Sequence, residues 1–419
     1  VSGTDQSSST LQEAEDLMTG TVRGDSFTDD YWRDPHAALA WAREHSPVRE
    51  VDFEGGRTWL VTRYADVRAG LVDPRLAKDW RSTLPEAERA AAPPALPAPM
   101  SHMLTSLDPP EHTRLRALVT QAFTARRVAE LRPRVEAVAH ELLDALPEDE
   151  PVDLVARYAI VLPMVVICEL LGVPELERDE FARLSTVLID ECPEPELRRA
   201  SAQMADYLEG LVAAKRAAPD DALLSALITA SDEGDRLSDV EIVAMAMLLL
   251  MAGHETTAVF ITNSVRALLA DPAARERLAS PPEVPSLVEE LLRWLSPALN
   301  ASLRFATEDL EIGGVPIPRG ASVMLSTGGA NRDPAQFADP ARFDPDRSTA
   351  GHLAFGHGIH RCLGAALVRL EGEVALAALF ARFPHLRAAA DPAELTFRRS
   401  VHVHAPRTFP VVLGPRANG

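Results

Sequence analysis

One stretch constrains this chain more than any other: Phe355-Gly-His-Gly-Ile-His360-Arg-Cys362-Leu-Gly364 sets a cysteine in a glycine-rich loop, just ahead of the apolar and basic periodicity of a new helix. Gly356, Gly358 and Gly364 allow turns that a side chain would forbid and let the backbone pass close to a flat macrocycle. Backbone N–H groups around Cys362, and the positive end of a helix expected to begin near Leu363, favour the thiolate, the form of cysteine that binds metals. A thiolate so placed can ligate haem iron, with His360 donating to a propionate and Phe355 packing on the porphyrin. An axial cysteinate pushes electron density onto the iron and promotes O–O cleavage. The competing reading, one more buried free thiol, explains neither the glycines nor His360.

The pattern F-G-x-G-x-H-x-C-x-G resembles the haem loop of the cytochrome P450 family, the haem-thiolate monooxygenases, and the likeness covers essentially the whole chain after the first 25 residues. The resemblance implies a cofactor, haem b (iron protoporphyrin IX), with Cys362 as the metal ligand and Phe355, Gly356, His360 and Gly364 around it. Nothing resembles C-x-x-C-H, so the haem is expected to be held noncovalently.

Composition sets the outer bounds. The chain has 419 residues, 46% of them hydrophobic, and a formal charge of −20, which argues against a nucleic-acid partner. Three cysteines fit a reducing cytosol better than a disulfide scaffold. Cys168, in the apolar run Val165-Val-Ile-Cys-Glu-Leu-Leu171, reads as inert core, and Cys192 as a loop residue without a role. The start of the chain is polar and carries no secretory signal. The longest apolar stretch, Ile242 to Gly253, is too short for a bilayer span of roughly 20 residues. A cytoplasmic protein with no membrane contact is the expectation, with a monomer as the default.

Residues 1–25 read as a flexible leader and 26–419 as a single haem-binding domain. A strand is expected at Thr58–Thr62, a helix from Ala65, and irregular short turns from Arg81 to Leu107. After Asp108-Pro-Pro110 helical periodicity runs to about Leu295. From Glu308 the pattern changes to strands around tight turns, the loop and its helix follow to about Phe383, and Leu395–Phe397 with Val401–His404 suggest a last hairpin. The fold class is therefore mainly α with a smaller β region, one α+β unit. The resemblance implies the same architecture.

A second anchor lies inside the long apolar run from Leu237 to Ala270, which is interrupted by Ala252-Gly253-His254-Glu255-Thr256-Thr257. Burying Glu and Thr in mid-helix costs stability unless they find partners, and Gly253 costs up to about 1 kcal/mol relative to alanine. A helix that breaks local rules at its centre invites a functional explanation. In the resembled family this segment crosses the distal haem face. With Ala252 beside it, Gly253 and the next turn would open a groove for O2, Thr256 would hydrogen-bond the bound oxygen, and Glu255 would help relay protons. The bland alternative is threonines bonding back to the preceding turn, with Glu255 in a surface ion pair.

The resemblance assigns supporting residues too. His112 and Arg116, on one face of a helix, and Arg304 would join His360 in clamping the haem propionates. Glu290 and Arg293, completed by Arg342, would form a structural triad. Arg361, Arg369, Arg114 and His357 would line a basic patch for an acidic ferredoxin. Met100, Met103, Leu249, Ala298, Leu299, Ala301 and Val401 would line a substrate pocket. Most of that lining is apolar or small, which suits a bulky hydrophobic substrate. The acidic loop Asp190 to Glu196 reads as solvated. One departure stands out: where these relatives usually carry Arg-Gly-Leu in the last hairpin, this chain has His404-Ala-Pro406.

The resemblance is to soluble bacterial members that oxidise macrolides, other polyketides and sterol-like molecules, in secondary metabolism and antibiotic biosynthesis. It implies hydroxylation or epoxidation with O2 and electrons from a ferredoxin and its ferredoxin reductase, since the chain has no G-x-G-x-x-G motif of its own. A haem-based gas or redox sensor without turnover is the alternative from another class.

Overall fold

The computed structural model describes residues 27–417 apart from 54–55, 95, 97–98, 148–149, 179–180, 182, 185–193 and 233–234. The leader, Cys192 and residues 190–193 of the acidic loop lie outside the described residues.

Five strands form the main sheet: β1 (Val48–Phe53), β2 (Gly56–Val61), β3 (Leu76–Ala77), β4 (Arg304–Ala306) and β5 (Ser322–Leu325), in the order β1-β2-β5-β4-β3. β5 runs parallel to β2, with Ser322 opposite Thr58, and their hydroxyls share a 2.8 Å hydrogen bond. The other pairings are antiparallel. Between β4 and β5, Leu310–Ile312 and Val315–Ile317 make the expected tight hairpin, turning on Gly313 and Gly314 at φ 57° and 83°.

The helical body contains α1 (Glu111–Ala122), α2 (Arg132–Asp144), α3 (Val161–Leu171), α4 (Glu194–Ala217), α5 (Asp239–Ala270), α6 (Val284–Leu295) and α7 (Ala365–Arg382). The 32 residues of α5 span about 48 Å. Ser238 and Glu241 start it as a reciprocal capping box. Asp271 stops it and caps the helix that follows.

By length and hydropathy α5, which extends well beyond the apolar stretch Ile242 to Gly253, could cross a membrane. In this fold 67% of its apolar window is buried inside the protein. It is a core helix, packed against α3, α4, α7 and the turn Met100–His102. Its seat on α7 depends on Gly372, where an added Cβ would stand 2.4 Å from Cε1 of Phe260.

The predicted triad is corrected by one member. Arg293 grips Glu290 through Nε and Nη2, both at 2.7 Å, and the third member is Arg347, at 3.3 Å from Glu290. Arg342 is exposed and pairs with Asp339 and Asp344; only its carbonyl faces the cluster. Both arginines lie in the same coil, and no local signal separates them.

The last hairpin is looser than expected. It closes through isolated bridges, Phe397 to Pro406 and Ala298 to Val403. The first joins its two arms and the second ties it to the turn after α6.

Candidate active site

The cysteine loop is held from within. Cys362 N donates to Phe355 O at 2.9 Å, and Leu353 N donates to Asn331 Oδ1 at 2.6 Å. Gly356 and Gly358 sit at φ 67° and 74°, which glycine alone adopts without strain. At Gly358 a Cβ would also fall 2.7 Å from Val72 Cγ1. The helix begins at Ala365, slightly later than the sequence suggests, with Gly364 at its cap and no capping side chain. Cys362 keeps an exposed surface although protein crowds around it. Burial pushes its thiol up, opposed by the Gly364 N–H and by Arg116, Arg361 and Arg369. Cys168, by contrast, is fully buried and its thiol is pushed up to about 12 by burial, as inert core should be.

Beside the loop lies a cluster of bases. The rings of His112 and His360 meet at 4.2 Å. His112 is 1% exposed, yet neither ring nitrogen has a hydrogen-bond partner. Arg304 is also buried; it donates to Leu76 O and Leu71 O, and its Nε is left over. Arg116 reaches the loop through the Arg361 carbonyl at 2.8 Å.

Lys78, to which no motif assigns a role, belongs to the same cluster. Its ammonium donates to Ser302 and to the Leu303 carbonyl. Burial and the neighbouring Arg304 bring its pKa down to about 7. Burial, His112, Lys78, Arg304 and Arg116 together push His360 far down. Asp108 is the carboxylate nearest to offsetting this charge, and it is already engaged by the Lys78 and Asp79 amides. A signal was available: Lys78 is one of only two lysines in a chain with 42 Lys and Arg residues.

At the centre of α5 both threonines bond back one turn, Thr256 to Ala252 O at 2.9 Å and Thr257 to Gly253 O at 3.0 Å. Ala252 is exposed, while a Cβ at Gly253 would touch Ile167 of α3 at 3.4 Å, so the glycine also serves helix packing. Glu255 is ion-paired with Arg398 of the last hairpin. The acid and alcohol that the sequence sets side by side are thus turned to different sides of the helix.

The expected substrate residues fall into groups. Met100, Met103 and Leu249 share the main core cluster. Leu299 and Val401 share another cluster with Leu60 and Met324, and Ala301 packs at the edge of the sheet cluster. Ala298 is half-buried and bridged to Val403. Two members of the expected basic patch are committed to acids: Arg114 to Glu241, and Arg369 to Glu289, its guanidinium lying 4.4 Å over the Phe355 ring. Arg361 is exposed and His357 half-buried.

The family profile described as Cytochrome P450 matches residues 189–280 and 282–409. Vitamin D(3) 25-hydroxylase of Pseudonocardia autotrophica is 51% identical over 401 residues, covering 95% of this chain and 98% of its own length. The chain is a cytochrome P450.

Other P450s agree with that placement. The 6-deoxyerythronolide B hydroxylase of Saccharopolyspora erythraea is 44% identical, covering 94% of this chain and 98% of its own. The solved structure of PksS from Bacillus subtilis, a cytochrome P450 of the bacillaene polyketide synthase, superposes with a TM-score of 0.87 at 33% identity. It covers 94% of this chain and all of that one. This P450 is accordingly a monooxygenase, and its cofactor is a cysteine-ligated haem b.

The residues present suit that group. Haem brings two carboxylates and an iron that accepts a thiolate. The base cluster holds more bases than Asp108 and Asp73 can offset, both nitrogens of His112 lack partners, and Cys362 keeps its surface open in a loop where Gly364 adds no bulk: even a Cβ there would stand 3.9 Å from Sγ.

Proposed function

We propose that this P450 hydroxylates, or epoxidises, a bulky hydrophobic small molecule of the macrolide, polyketide or sterol-like class. It would use O2 and electrons from a ferredoxin and ferredoxin reductase, as a cytoplasmic monomer whose residues 26–419 form one haem-binding domain. Cys362 is the thiolate ligand. His112, Arg116, Arg304 and His360 hold the propionates, with Lys78 adding to the positive field. Phe355, Gly356 and Gly364 would shape the loop that receives the haem. The observation that carries this reading is the meeting of the exposed cysteine loop with a buried cluster of bases short of an anion.

When bound, the haem supplies dioxygen activation and oxygen-atom transfer. The chain's own task is to move protons and exclude bulk water. Thr256 presents a hydroxyl whose proton can turn away from the Ala252 carbonyl. Glu255, its neighbour on the same helix, can shuttle protons, two of which are needed for each oxygen reduced to water. Ala252 and Gly253 keep that stretch of α5 free of bulk. Met100, Met103 and Leu249, with Ala298, Leu299, Ala301 and Val401, supply apolar contacts for the substrate.

Identities of 51% and 44% to hydroxylases named for vitamin D(3) and for a deoxyerythronolide support the substrate class. The carbon monoxide difference spectrum of the reduced protein is the first test. A Soret band strongly red-shifted from histidine-ligated haem is expected, and Cys362→Ala should lose both that band and all turnover. A substrate screen by spin-state shift should then respond to macrolides or sterol-like compounds. Silence towards both classes would remove the substrate reading, and an unshifted band would remove the ligand assignment.

A further inference from the structure

The acid at the centre of α5 is held from an unexpected quarter. Arg398 comes from the last hairpin, 143 residues away, and its guanidinium is paired with Glu255; the side chains are only 21% and 14% exposed. The pair borders a cavity of about 190 Å3. Its walls come from three elements. They are α5 through His254, Glu255, Ala258, Val259 and Thr262, the turn before α3 through Val155 and Ile160, and the hairpin through Arg398, Ala405, Pro406 and Arg407.

The space is large enough for several waters and has polar groups to hold them. Arg407 on its wall is exposed, so the cavity reaches towards solvent. Residues 255, 258, 259 and 262 fall on one stripe of a helix with 3.6 residues per turn, whereas Thr256 lies about 100° further round, in line with Ala252.

The hairpin is braced against this pull. Arg398 N donates to Ala405 O at 3.0 Å, Arg407 N donates to Thr396 O at 2.8 Å, and Asn263 of α5 donates to His404 O at 2.6 Å. An exposed ion pair would contribute little. This one is half shut away, fixed at one end to a core helix and at the other to a braced turn.

We propose that Arg398 is the positioning residue for Glu255. It holds the carboxylate in the water-bearing cavity, where it takes up protons from solvent, and the side chain swings from there towards Thr256 to deliver them. This rests on the reading of Glu255 and Thr256 as proton carriers. It adds a residue, a water store and a route that enters beside the hairpin.

The test uses the haem-loaded enzyme with a substrate from the spin-state screen. The variants are Arg398→Gln, Arg398→Lys, Glu255→Gln and the Arg398→Gln/Glu255→Gln double. Two quantities are read: the fraction of electrons recovered in product, and the solvent deuterium isotope effect on electron consumption. Arg398→Gln should lower coupling several-fold and raise the isotope effect. Arg398→Lys should restore both in part, and the double variant should be no worse than Glu255→Gln alone. Melting of the purified proteins gives a readout independent of turnover, and the two single losses should be less than additive in the double.

Unchanged or improved coupling in Arg398→Gln, or effects of the two singles that multiply in the double, would overturn the role of Arg398. If Glu255→Gln itself leaves coupling and isotope effect intact, the proton-carrier reading fails, and the proposal with it.

Discussion

Two clusters of buried charge in this P450 are built in opposite ways. Glu290 and Arg293 have no exposed surface, and everything they offer is taken up. The Glu290 carboxylate receives Arg293, Arg347 and the Asp344 amide, while Arg293 also donates to the Asn331 and Pro340 carbonyls. Around Lys78, His112, Arg304 and His360 the balance is one-sided: bases crowd together, lower one another's affinity for protons and leave nitrogens without acceptors. The first cluster is complete without a ligand and so belongs to the scaffold. The second is costly as it stands, and the anion proposed for it would offset that cost, as a binding site requires and a brace does not.

The largest effect should come from opening the closed cluster. Glu290→Gln leaves buried guanidinium charge uncompensated and should cost about 3–5 kcal/mol, read from denaturant unfolding of purified protein. A loss below about 1 kcal/mol would dissolve the contrast.

A half-buried base in the last hairpin sharpens it through pH. His404 stacks on Phe397 at 4.5 Å; burial and then Arg266 push it down to about 4. The unfolded chain, with histidine near 6.5, therefore takes up the proton first. Stability should be full above about pH 6.5 and fall as pH drops towards 4, by at most about 3 kcal/mol. His404→Phe should lack this component, so parallel pH curves for the two proteins would count against it.

Next comes the open cluster itself. His112→Phe should leave the haem-free protein as stable as before or more so, yet speed haem loss to apomyoglobin by about 10-fold to 100-fold, the value of one charge-assisted hydrogen bond. If the haem-free variant were weakened as Glu290→Gln is, the cluster would be a brace after all. The smallest effect is expected of Arg342→Ala, within about 0.5 kcal/mol, against a clearly larger loss for Arg347→Ala.

Much of this was legible in the sequence because it is local. The loop around Cys362, the interrupted centre of α5, Glu290 with Arg293, and the glycine hairpin at Gly313 each lie within a few residues, where turn chemistry and helical spacing act directly. His112 and His360 were expected together, and their rings do meet. What escaped was pairing across the chain. Arg347 rather than Arg342 reaches Glu290, Arg398 reaches Glu255, and Lys78 joins bases from β4 and the cysteine loop. Arginines are abundant here and long enough to choose among several carboxylates, so spacing cannot name the partner. The separation of Glu255 from Thr256 was hidden for the opposite reason: adjacency in a helix reads as proximity, although successive side chains diverge by about 100°.

The bare seat at Gly372 has a consequence beyond packing. α7 leaves directly from the cysteine loop and α5 carries Thr256, one turn before Phe260. The Phe260 ring fills the space where a methyl at Gly372 would stand. The contact therefore works as a spacer cut to zero thickness. It fixes the interval between the helix that leaves the cysteine loop and the helix that carries Thr256. The smallest residue in α7 is thus its gauge: how closely the two helices approach is set by a side chain that glycine lacks.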